Sequence, residues 1–356
     1  MRRKLLFVGI AVLAVVLAVT GILLLARPKP GQSSETGSTT GETQVQIVRD
    51  DKLIGICVPS QDQVWLDAGA LLENTLAQRG YRVAFSWGDG TAQGQGSAMR
   101  SLIYQGVAAL ITVPVDSATL GDTAREAQKY NVPVISYGSL LMDSDAVRGH
   151  VCFDYEKMGL FIASHVIEKL GLETAAAEGR SHTVELFMGA PEDYNALSFH
   201  KGIYAGLKKH LDAGVLRILS DRVAFEDTCV IGWSAERANQ LCASRLNAYG
   251  DAAPDAIICA SDAIATGVIQ ALTNKGCSPE SWPLITGNGA TPEGIAMLKG
   301  GTLSVTVKTD PQAPTTACAE LVDMVLLGLT PSFQTVNIFN NAVDVPTALC
   351  DFTLVE

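Results

Sequence analysis

From Lys52 onward the chain alternates short apolar runs with helix-length amphipathic segments. The runs LIGICVPS (53–60), YRVAFSW (81–87), AALITVP (108–114) and PVISYG (133–138) predict strands, with helices between them over about 63–79, 92–106 and 117–130. Strand, helix and strand at this spacing predict a parallel sheet with right-handed crossovers. The pattern restarts after residue 150. VCFD (151–154), VELFMG (184–189), VLRILS (215–220), AIICAS (256–261), PLITGN (283–288) and LSVTVK (303–308) predict strands. Helices are predicted over 155–170, 194–211, 234–248, 262–275 and 292–299, and loops over 171–182 and 221–232. The chain therefore reads as α/β, two doubly wound units in tandem. A further helix over about 312–328 and an extended piece over 335–355 imply a return to the first unit and then back to the second.

The amino terminus follows a different pattern. Arg2-Arg3-Lys4 precede an uninterrupted apolar run from Leu5 to Ala26, long enough to cross ~30 Å of hydrocarbon as a helix. The run exceeds a signal-peptide core and ends without an A-x-A site, which favours an uncleaved signal anchor (1–27) over a cleaved signal peptide. The positive-inside rule then puts everything after about residue 27 outside the cytoplasm. Residues 28–46 are rich in Gly, Ser, Thr and Pro, as in a flexible linker.

With 47% hydrophobic and 18% charged residues, the rest can bury a sizeable core. Once the five basic residues of the first thirty are set aside, 21 basic side chains face 37 acidic ones, so a nucleic-acid partner is excluded. The eight cysteines form no C-x-x-C and no Cys/His cluster. Cys57, Cys152 and Cys259 fall in apolar runs as small buried hydrophobes, while Cys229, Cys242 and Cys277 sit in more polar stretches where pairing stays open.

In an open α/β sheet ligands bind beyond the carboxyl ends of the strands. The residues there are Asp62, Gln63 and Trp65 after the first run, Tyr137 and Ser139 after the fourth, Asp154, Asn195, Asp262, Asn288 and Lys308. Hydroxyls, amides and carboxylates with a tryptophan suit a polyhydroxylated ligand better than a phosphate. Trp233 joins them, because Ser234 is a good N-cap and places the indole in the loop entering a second-unit helix. Plainer readings stand beside these: Asp262 as a first-turn helix acid, Asn195 as a cap, Lys308 as a surface lysine. Gly88-Asp-Gly90-Thr-Ala-Gln-Gly94 is a poor dinucleotide fingerprint, since its third glycine is one residue late and it follows a second strand. No P-loop, H-E-x-x-H or G-x-S-x-G occurs and the five histidines are scattered, so no enzyme, metal site or cofactor is expected.

Across VPSQDQVWLDAG (58–69), PVISYGSLL (133–141), CFDYEKMG (152–159), ELFMGAPEDYNA (185–196), IGWSAERANQ (231–240), SDAIATGVIQAL (261–272), ITGNGATPEG (285–294) and TVKTD (306–310) the chain resembles the exported monosaccharide-binding proteins of bacterial ABC transporters. The multiple-monosaccharide and xylose binders are the most similar branch. The resemblance implies two Rossmann-like lobes joined by three crossings near 150–153, 308–311 and 330–337, closing on a sugar. The lobes would comprise 47–151 plus 310–331 and 152–309 plus 332–356. It also implies ligand roles for Asp154, Asn195, Asp262 and Lys308 and stacking roles for Trp65 and Trp233.

Departures from that family concentrate at charged positions. Gly138-Ser139 replaces Asp-Arg after the fourth strand, Val64 stands where Arg is frequent, and Asn288-Gly289 replaces Gln-Asp. The expected protein is thus a monomeric, membrane-anchored extracytoplasmic solute-binding protein, with a monosaccharide or polyol as ligand and an ABC permease or a membrane sensor kinase as partner. The alternative is a tethered sensory module with an altered pocket.

Overall fold

The computed structural model describes residues 47–250, 252–278, 281–329 and 335–356. The expected membrane helix and linker lie outside them. Among the described residues no helix is long and apolar enough to cross a membrane.

The first lobe is built on a seven-stranded sheet. β1 (Asp50–Val58) lies between β2 (Arg82–Trp87) and β3 (Val107–Thr112), followed by β4 (Val134–Tyr137) and β5 (Val147–Phe153), all parallel. Helices α1 (Gln63–Gln78), α2 (Ala92–Tyr104) and α3 (Gly121–Lys129) make the crossovers. Ile54, Ile56 and Val58 pack into one core and Cys57 into the other, on opposite faces of the sheet. A strand segment covered on both sides must be apolar, which is why β1 reads as an unbroken run from Leu53 to Val58, after the polar Asp50 to Lys52.

The chain then crosses to the second lobe. α4 (Tyr155–Leu170) packs against α6 (Tyr194–Asp212), with the short α5 (Leu172–Ala177) between them in sequence. A four-stranded parallel sheet follows the order β7 (Leu216–Ile218), β6 (His182–Phe187), β8 (Ala256–Cys259), β9 (Leu284–Thr286). A one-turn α7 (Phe225–Thr228), then α8 (Ala235–Tyr249), α9 (Asp262–Asn274) and α10 (Pro292–Lys299), complete the layers. After β10 (Thr306–Thr309) the chain returns as α11 (Gln312–Leu326), which packs on α1 and on β5 of the first lobe.

Three expectations are corrected here. Residues 151–153 do not open the second unit, because β5 pairs with β4 and closes the parallel part of the first sheet. Residues 335–350 do not belong to the second lobe. β11 (Thr335–Phe339) and β12 (Asp344–Cys350) form an antiparallel hairpin, and β12 adds to β5, so both extend the first sheet. Only β13 (Phe352–Val355) reaches the second lobe, pairing with β10, and the third crossing therefore falls at Asp351 rather than at 330–337. The hairpin turn explains the error: the buried Asn340 side chain donates to the Leu141 and Ser144 carbonyls and accepts from the Ala342 and Val343 amides. One extended segment is thereby folded into two strands anchored on the first lobe. All eight cysteines are free, Cys242 being buried rather than poised for pairing.

Candidate functional site

A cavity of about 730 Å³ lies between the lobes, at the carboxyl ends of both sets of strands. The first lobe contributes Ser60, Asp62 and Trp65 after β1, Val113 to Val115 after β3, and Tyr137 to Ser139 after β4. The second contributes Tyr155 and Met158 from α4, Glu192, Asp193 and Asn195 after β6, Trp233, Ser261, Asn288 and Gly289. A larger groove of about 820 Å³, with Arg49 and Arg148 on its walls, opens at the amino ends of the first-lobe strands, away from every candidate residue.

Buried polar groups set the loop shapes. Gln95 is fully buried on α2. Its amide donates to Val113 O at 2.6 Å and its carbonyl accepts from Val115 N at 2.7 Å, pinning the β3 loop. The preceding glycine-rich segment is a helix cap: Thr91 accepts from Gly94 N at 3.1 Å, and Asp89 accepts from the Thr91 amide and hydroxyl. On the second-lobe side Ser234 caps α8 as expected, accepting from Arg237 N at 3.3 Å. The Trp233 ring packs against Gly189, where a Cβ would stand 2.2 Å from the indole.

At one edge of the cavity the lobes touch. Ser139 Oγ donates to Asp193 Oδ1 at 2.9 Å and lies 2.8 Å from Ser117 Oγ, while Ser117 N donates to Glu192 O at 3.3 Å. Asp193 also caps α6, accepting from Asn195 N at 2.9 Å. Burial raises the Asp193 carboxyl above the usual carboxylate range, and the nearby Glu192 charge adds to the effect; the hydrogen bonds from Asn195 and Ser139 and the Trp233 side chain oppose it. Burial likewise pushes the Tyr137 hydroxyl up to about 12; this hydroxyl lies 3.2 Å from Thr315 Oγ1.

Of the candidates named from sequence, Asp62, Trp65, Tyr137, Ser139, Asn195, Trp233 and Asn288 meet at this cavity. The other four do not line it. The Gln63 amide turns along its own helix to Asp67 Oδ1 at 2.7 Å. Asp154 caps α4 through Lys157 N at 3.0 Å. Lys308 is exposed on β10 and leaves the cavity wall to Thr309. Asp262 is 1% exposed and holds the floor together, accepting from Thr291 N at 2.8 Å, Thr291 Oγ1 at 3.0 Å and Thr306 Oγ1 at 2.7 Å.

Sequence reasoning missed Glu192, Asp193, Ser117 and Tyr155. Glu192 and Asp193 stood inside the matching stretch ELFMGAPEDYNA, and a Pro followed by two acids before a helix was the available signal. Ser117 carried none, because only the approach of the lobes brings it to Tyr194 and Glu192. Among the described residues no cluster of three or more His, Cys, Asp or Glu could hold a metal.

Comparison with known proteins agrees with this architecture. A multiple sugar-binding periplasmic protein of Azospirillum brasilense is 27% identical over 311 residues, covering 86% of each chain. The D-xylose-binding periplasmic protein of Escherichia coli is 28% identical over 270 residues, 76% of each. Among solved structures, an ABC transporter solute-binding protein of Clostridium phytofermentans with bound β-D-glucose superposes with a TM-score of 0.78 at 31% identity, covering 86% of this chain and 94% of that one. The model of the periplasmic binding protein domain matches residues 54–330. The chain therefore belongs to the periplasmic binding protein family.

Proposed function

We propose that this protein is an extracytoplasmic solute-binding protein that closes on a monosaccharide and hands it to an ABC permease. The observation that carries the reading is the interlobe cavity, in which Trp65 enters from one lobe and Trp233 from the other, among short hydroxyl, amide and carboxylate groups. The axial C–H groups of a pyranose form an apolar face that an indole covers at little cost in rotamer entropy, and the polar groups at the rim take the hydroxyls. Relatives that bind sugars support the class of ligand.

A thermal-shift panel of pentoses, hexoses and polyols tests the reading. Ligand at about 100 times its dissociation constant adds ~2.7 kcal/mol of stability. A flat response across the panel would overturn it. Small-angle scattering should show a smaller radius of gyration at saturation if the two lobes close as a hinged pair.

The finer parts of the proposal are a monomer and anchorage by the run from Leu5 to Ala26, the latter supported by the length of that run and its basic flank. Membrane fractionation with amino-terminal sequencing of the mature chain checks the anchor, and sedimentation checks the monomer.

A further inference from the structure

The cavity is charged in one direction. Among the described residues Asp62, Glu192 and Asp193 line it, and no lysine, arginine or histidine does. The same cavity carries four aromatic rings, those of Trp65, Tyr137, Tyr155 and Trp233.

Asp193 is the centre of this imbalance. Its hydrogen-bond donors, Ser139 Oγ, Asn195 N and the Trp233 side chain, are all neutral, and the charge acting on it is that of the like-charged Glu192. A carboxylate withdrawn from water without a cation is expensive, and two adjacent acids repel. Asn195, 9% exposed, opens onto the same space, and among the described residues nothing donates to or accepts from its carboxamide. A bare metal ion is a poor occupant, because no three acidic, His or Cys side chains converge on a point among the described residues. An ammonium carried on a sugar ring fits each feature at once. It pairs with Asp193 and Glu192, lies against aromatic faces that attract cations, and leaves the ring hydroxyls to Asn195, Ser261 and Asn288.

Resting on the monosaccharide reading above, we infer that the preferred ligand is a cationic amino sugar, recognised by Asp193 and Glu192 together with the aromatic walls.

Isothermal titration at low salt, at a pH where the amine is protonated, compares D-glucosamine with D-glucose, which lacks the charge, and N-acetyl-D-glucosamine, which keeps the substituent but not the charge. D-Galactosamine, D-xylose and myo-inositol complete the set. The expected result is that at least one of the two amino sugars binds about tenfold or more tighter than glucose and N-acetylglucosamine, and that the gap narrows as salt rises. Glu192→Gln, at an exposed position, and Asp193→Asn, which keeps a cap acceptor on α6, should each reduce the ratio of amino-sugar to glucose affinity by at least about fivefold. Neutral sugars binding as tightly as the amines would overturn this inference and leave the monosaccharide reading standing. Failure of all six to bind would overturn both.

Discussion

The first lobe meets the cavity with Trp65, Tyr137 and the apolar loop from Val113 to Val115, and Asp62 at its rim is its one charge. The second lobe meets it with Glu192, Asp193, Asn195, Ser261 and Asn288 around Trp233. Loops of the same topological kind thus build walls of different chemistry. The first wall is a shape, held from beneath by Gln95 and by His150, whose ring Nε2–H donates to Gly138 O at 3.0 Å. The second wall is a set of polar groups, resting on the Asp262 floor. Support residues on both sides should therefore be read out as stability, and cavity-facing residues as affinity.

The largest effect is expected at the second-wall floor. Asp262→Ala removes the acceptor for three hydrogen bonds and leaves the proton of the buried Thr306 hydroxyl without its acceptor, so urea unfolding should show a loss of about 4 kcal/mol. A loss confined to ligand affinity would place Asp262 on the ligand instead.

The corresponding support in the first wall is pH-dependent. Burial pushes the His150 imidazole down to about 4 from 6.5. A base whose folded pKa lies below its unfolded value contributes its full stability above pH 6.5 and loses it as pH falls toward 4, because the unfolded chain takes up the proton first. About 3 kcal/mol should disappear over that window, and His150→Gln should flatten the slope. An unchanged slope in the variant would assign the acid sensitivity elsewhere.

Next come the two indoles. Trp65→Ala and Trp233→Ala should each weaken sugar binding at least tenfold, ~1.4 kcal/mol, with ligand-free melting little altered. If only Trp233 matters, the comparison sharpens: the first wall would then merely enclose. Gly189→Ala drives a methyl into the Trp233 ring and should cost about fivefold in affinity, ~1 kcal/mol, without touching the ligand itself.

The smallest effects belong to the other tryptophans. Trp87 is 44% exposed beside Phe85, and the Trp282 indole N–H donates to Cys277 O, both away from the cavity. Trp87→Phe should change affinity less than twofold, ~0.4 kcal/mol.

Much of the architecture was legible along the chain. Strand segments buried on both faces, such as Ile54–Val58 of β1 and most of β3, read as continuous apolar runs, and the 3.6-residue period of α1 or α9 cannot be confused with them. The carboxyl-end rule then picked loops that line the interlobe cavity. Within those loops it could not choose among neighbouring polar residues. Asp262 and Asp193 both stand at or just before the start of a helix after a strand, yet one turns down to Thr291 and Thr306 while the other faces across the cleft to Ser139.

By itself the sequence determined the α/β class, the alternation of strands and helices along the chain and the loops that follow the strands, because periodicity and turn chemistry act over a few residues. Tertiary structure alone decided three things: that 335–350 joins the first sheet, that Ser117 meets the second lobe, and that among the described residues the cavity is lined by three carboxylates and no base. Each depends on which distant segments are brought within hydrogen-bonding distance, and no local pattern encodes a contact between residues far apart in the chain.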